Sequence, residues 1–76
     1  MSDNENELRR LTALYLSEEN DLHMSEVTDK LVDEQITYGL SMYGCKDQLL
    51  KSLRIYRDEV IENMKSEMEE YRESNR

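Results

Sequence analysis

From Asp47 to about Arg72 the apolar positions form one continuous helical stripe. With Leu53 as origin and roughly 100° per residue, Leu49, Tyr56, Val60, Met64, Met68 and Tyr71 fall within about 60° of it. Leu50 and Ile61 widen the stripe on one side. Its steps are 4, 3, 4, 4, 4 and 3 residues, a mean near 3.67. That period suits a nearly straight helix packed on other helices better than a long left-handed coiled coil, which needs a strict seven-residue repeat. No Gly or Pro interrupts the stretch, and Asp47–Lys51, Arg54–Asp58 and Lys65–Glu69 stand one turn apart. A long third helix is expected over about residues 46–72.

Two shorter helices precede it. Ser2 and Glu5 have capping-box spacing, and Leu8, Leu11 and Tyr15 recur at helical intervals with Leu14 and Leu16, predicting a first helix over about 3–18. Residues 17–24 are polar and turn-rich, with Leu22 as the expected anchor to the core. Ser25 is the predicted N-cap of a second helix over about 26–43, closed by Gly44 in the left-handed conformation. This second helix is apolar on two faces. Val27, Leu31, Tyr38 and Met42 lie on one, and Val32, Ile36, Leu40 and Tyr43 on the other, the pattern of a sandwiched helix; the other two helices can cover only part of it, which leaves one face for a second chain. Gly39, inside it, costs about 1 kcal/mol relative to Ala and is expected where another helix approaches closely. The fold class is therefore all-α, a single three-helix domain over residues 1–76.

Length and composition add a partner to that picture. A chain of 76 residues without Trp, Phe or Pro builds a small core, and domains of this size often need a metal, disulfides or another chain. The single Cys45 rules out an intramolecular disulfide, and Cys45 with the lone His23 cannot complete a structural zinc set. Homodimer packing is the expected aid. The apolar surface expected to carry a dimer or partner is Val32, Ile36, Leu40, Tyr43, Leu49, Leu53, Tyr56, Val60 and Met64, with Ile55 exposed on the opposite side of the third helix.

Charge is lopsided. The net charge is −8, and residues 1–34 hold ten acids against Arg9, Arg10 and Lys30. Within the third helix the first half is net basic through Lys46, Lys51, Arg54 and Arg57, and the second half is acidic. This opposes the helix's own dipole but would suit two copies packed antiparallel. Glu18, Glu19, Asp21, Glu26, Asp29, Asp33 and Glu34 form a candidate acidic face for a basic protein surface.

Candidate chemistry is sparse. His23 near Glu18, Glu19 and Asp21 has the ligand types of a metal site but no Glu-x-x-His, His-Glu-x-x-His or calcium-loop order, so no metal and no cofactor are expected. No nucleophile is paired with a base, and with glycines only at 39 and 44 there is no phosphate-binding loop. Cys45 reads as an ordinary small residue, with intermolecular disulfide formation as its functional alternative. A helix-turn-helix reading would put Lys46, Lys51, Arg54 and Arg57 on a recognition helix; the acidity after Asp58 and the total charge count against direct nucleic-acid binding. No face combines bulky apolar residues with a basic flank, and no apolar run has membrane-spanning length, so no membrane role is expected. Met1 to Glu7 is too acidic for a signal or transit segment, and the chain reads as cytoplasmic.

The expected activity is non-enzymatic: a small acidic helical homodimer that regulates or inhibits a larger protein partner. The alternative is an acidic inhibitor that offers carboxylates where a basic nucleic-acid-handling protein expects phosphates, as antitoxins and phage counter-defence proteins do in general terms.

Overall fold

The computed structural model describes residues 3–74, which form three α-helices: α1 (Asp3–Asn20), α2 (Asp29–Tyr43) and α3 (Lys46–Ser74). The all-helical architecture with a long C-terminal helix matches the periodicity of the sequence. The predicted Ser2 cap lies outside the described residues. Both outer helices run two residues beyond their expected ends, and α3 is helical through Ser74.

The start of α2 corrects the sequence reading. Ser25 does not cap it, because His23 takes Ser25 for a different structure. The His23 ring accepts the Ser25 backbone N–H at 3.2 Å, and its Nδ1 lies 2.8 Å from the Ser25 hydroxyl. The Glu26 carboxylate accepts from the His23 N–H at 3.3 Å, completing a capping box around a short 3₁₀ turn, Met24–Glu26. Extended backbone at Val27 then breaks the helix, and Thr28 caps α2 instead, its hydroxyl accepting the Leu31 N–H at 3.2 Å. Asp21 also has a backbone role: it adopts a positive φ of 52° where α1 ends, and Ser17 ties this reversal down by donating to the Leu22 carbonyl at 2.7 Å. Gly44 closes α2 at φ 86° with its N–H on the Leu40 carbonyl, as expected.

Lys46 meets Glu5, and Tyr56 packs on Tyr15, at the same sequence separation, so α1 and α3 run parallel with α2 reversed beside them. The 29 residues of α3 span about 43 Å against about 27 Å for the 18 of α1. Starting level, α3 outruns its neighbour and projects as an arm, which explains the 48 Å long axis of the molecule.

The core is a leucine cluster: Leu8 and Leu11 of α1 against Leu49, Leu50 and Leu53 of α3, with Tyr15, Ile36 and Leu40 packed around it. Leu16 and Val32 are buried too. Thr12, 2% exposed, is satisfied by donating to the Leu8 carbonyl at 2.7 Å. Val32, Leu49 and Leu53, offered by the sequence as interface residues, are thus spent on the chain's own interior. The expected close approach at Gly39 is present, and its neighbour is Leu49. A chain this short fills its core from every apolar face within reach, and its own helices reach these three first.

Candidate interaction surface

The second apolar face of α2 is covered by its own chain only in part. Between α2 and α3 lies a groove of about 330 Å³. Its floor is Thr12, Gly39, Leu49 and Leu53. Tyr38 and Met42 form the α2 wall and Ile55 the α3 wall, at 60%, 63% and 62% exposure. Gly39 creates the depth, since a side chain there would meet Leu49 instead of leaving space above it. Tyr43 closes one end, its hydroxyl accepting from Ser52 Oγ at 3.0 Å, and Tyr56 and Glu59 stand at the other. Such a site, apolar within and ringed by a few polar groups, suits an apolar side chain of a protein or small ligand.

Tyr56 is the most perturbed titratable group. Its ring packs edge-on against Tyr15 with centroids 5.2 Å apart, and its hydroxyl donates to Glu19 at 3.1 Å. Burial, reinforced by the Glu19 carboxylate, pushes its pKa from 10 up to about 12. The hydroxyl is a donor locked to α1, and among the described residues Glu19 is its hydrogen-bond acceptor, so a structural role accounts for the shift.

The basic half of α3 is neutralised within the chain. Arg54 grips Glu7 with two hydrogen bonds of 2.8 Å, Arg57 stands 3.8 Å from the same carboxylate and 3.2 Å from Asp58, and Lys46 reaches Glu5 at 3.1 Å. The Arg54 hydrogen bond holds the Glu7 pKa below its ordinary value, and Glu7 in turn raises that of Arg54. These pairs remove the electrostatic reason for antiparallel self-packing through the basic half. They also occupy three of the four cations that a DNA-recognition helix would need.

The seven acids offered as a docking face are all exposed but do not act alike. Arg9 holds Asp33 and, at 3.5 Å, Asp29; this pairing raises the Arg9 pKa, with Asp33 the main cause. Glu19 accepts from Tyr56, Glu26 belongs to the turn cap, and Asp21 ends α1. Glu18 and Glu34 carry no hydrogen bond or ion pair among the described residues. Of the apolar candidates, Tyr43 and Met64 are exposed, while Ile36, Leu40, Tyr56 and Val60 are half-buried. The sequence places Tyr38 and Met42, the α2 wall of the groove, together on one apolar face by their i, i+4 spacing, but the expected interface set leaves them out.

Among the described residues no cluster of three or more His, Cys, Asp or Glu side chains is placed to hold a metal ion, and no helix is long and apolar enough to cross a membrane. Cys45 is exposed and free at the α2–α3 junction. The sequence matches no protein-family model, and neither a curated protein nor a solved structure matches it.

Proposed function

We propose that this chain is a non-enzymatic protein-interaction module, a small acidic helical homodimer in the cytoplasm that regulates or inhibits a larger protein partner. The observation that carries the reading is the groove between α2 and α3, whose walls Tyr38, Met42 and Ile55 leave more than half of their surface in water. Apolar contact there supplies about 25 cal/mol per Å² removed from water, and an aromatic or aliphatic anchor from a partner would fill the depth above Gly39. The groove holds no nucleophile–base pair; of its polar members, Thr12, Ser52 and Tyr56 are committed to internal hydrogen bonds, and Gln35 and Glu59 are left to meet a polar group of the partner.

The test is capture of proteins from native extract on immobilised chain, comparing wild type with Met42→Glu and with the combined Glu18→Gln, Glu34→Gln change. Loss of a captured protein on Met42→Glu alone supports the groove as the working surface. Capture unchanged by Met42→Glu sinks that reading.

A second reading, the acidic inhibitor, is favoured by the internal pairing of Lys46, Arg54 and Arg57. With these cations neutralised, the outward field is dominated by exposed acids such as Glu18 and Glu34. It requires binding that disappears in moderate salt and with the Gln changes, and that involves a basic partner.

A further inference from the structure

Beyond Val60 every described residue of α3 is exposed. Glu18 and Glu19, at the end of α1, share a concavity with Val60, Asn63, Met64 and Glu67 of α3, so the first helix stops about level with Met64. The exposed segment is an arm of about fourteen residues, 61–74, which projects past α1 from about Lys65 onward. A single helix of this length in water is marginal unless its apolar face is covered. That face is Ile61, Met64 and Met68, at 43%, 57% and 57% exposure, followed by the exposed ring of Tyr71.

Inside the bundle the stripe of α3 steps by threes and fours at a mean near 3.67, but in the arm Ile61, Met64, Met68 and Tyr71 step 3, 4, 3. This is two turns of a heptad, with Ile61 and Met68 at a and Met64 and Tyr71 at d. The flanking positions then carry a code. Lys65 and Arg72 occupy e; Val60, Glu67 and Ser74 occupy g.

We propose that the arm pairs with the same arm of a second copy as a parallel, two-stranded coiled coil, in register through Ile61, Met64, Met68 and Tyr71. In a parallel pair each g residue faces the e residue of the partner's next heptad, which sets Glu67 against Arg72 of the partner subunit, twice by symmetry. The alternative antiparallel alignment sets Lys65 against Lys65 of the partner subunit and Glu67 against Glu67 of the partner subunit, both repulsive. Charge therefore chooses the parallel direction. Ile61 lies about 100° round the helix from Val60, while Met64 and Glu67 share a concavity with Glu18 and Glu19, so the second arm approaches beside the end of α1. Two heptads make a small interface, and self-association is expected at roughly 0.1–1 mM.

The inference deepens the interaction-module reading by naming one partner and its surface. Sedimentation equilibrium of the full chain is the test, on wild type, Glu67→Lys and the double Glu67→Lys, Arg72→Glu. Glu67→Lys sets Lys against Arg72 of the partner subunit and should weaken the dimer by roughly three- to tenfold; the double change restores complementarity and should return Kd to near the wild-type value. A second readout uses Met64→Cys in a Cys45→Ser background, where parallel pairing brings the two new thiols together and oxidation links the copies. A monomeric wild type at 1 mM overturns the inference. So does a dimer unaffected by Glu67→Lys, or a disulfide that forms only when Met64→Cys and Met68→Cys chains are mixed, which marks antiparallel pairing. A monomeric wild type also removes the homodimer from the proposed function, but each of these outcomes leaves groove-dependent capture intact, whereas loss of the groove reading alone leaves the dimer and its charge dependence in place.

Discussion

Both carboxylate oxygens of Glu7 are held by Arg54, one through Nε and the other through a terminal guanidinium nitrogen, each at 2.8 Å. The pair spans 47 residues of sequence and aligns α1 alongside α3. Because Arg54 lowers the Glu7 pKa below its ordinary 4.5, the contribution is present above that value and is lost as pH falls through the lower folded-state value. Glu7→Gln is expected to lower the thermal midpoint at neutral pH by under about 5 °C, since the pair is solvent-accessible. Melting curves across pH check this: the gap between wild type and variant should close in strong acid. A gap that persists there would assign the loss to packing.

Gly39 is the only helix-interior glycine, and a Cβ built there would sit 2.7 Å from Leu49 Cδ1 and 3.0 Å from Cδ2. Leu49 also floors the groove, so it has space to tip into. Gly39→Ala is therefore expected within about 1 kcal/mol of wild type, the strain offset by better helix propensity. Gly39→Val adds two branches at the same point and should cost about 2–3 kcal/mol. Urea denaturation of both variants is the check, and equal stability of the two would show that Leu49 yields freely.

Tyr56 should ionise late. With its pKa raised to about 12 by burial and by Glu19, its neutral form is the one favoured in the fold. For a raised pKa the contribution is complete below the unfolded value of 10 and is lost as pH rises towards 12, on the order of 2 kcal/mol in all. Ultraviolet titration should show a late phenolate step that disappears in Tyr56→Phe. A titration curve unchanged by that substitution would refute the assignment.

Removing residues 61–76 should leave the bundle standing. Among the described residues, every buried one lies at or before Leu53. Chemical denaturation at low concentration, where copies are apart, is expected to change by less than about 1 kcal/mol while the helical signal falls. A collapse of stability on truncation would place the arm inside the folding unit.

Three helices, their order and the Gly44 stop were legible in the sequence because helical periodicity and a left-handed cap are local properties, written in residues a few positions apart. The α2 start differs from the expectation for a local reason too: Ser25 is a good cap by type, but its own N–H and hydroxyl are engaged by the His23 ring, and composition does not rank two capping options. The groove was half legible. Two apolar faces on the second helix promised an open side, yet which residues form its walls depends on how α2 sits against α3, which Gly39 and Leu49 decide together.

The sequence by itself determined the helices, their amphipathic faces and the total charge, since these follow from residue type and spacing. Tertiary structure decided which of those features remain available. It buried Val32, Leu49 and Leu53, matched Lys46 to Glu5 and Arg54 to Glu7, and left Met68 and Tyr71 exposed beyond the end of α1. Pairings across more than forty residues of chain are set by how helices of unequal length align, and no local pattern encodes that alignment. The same apolar stripe thus becomes core over its first half and exposed arm over its second, at the level where the shorter helix stops.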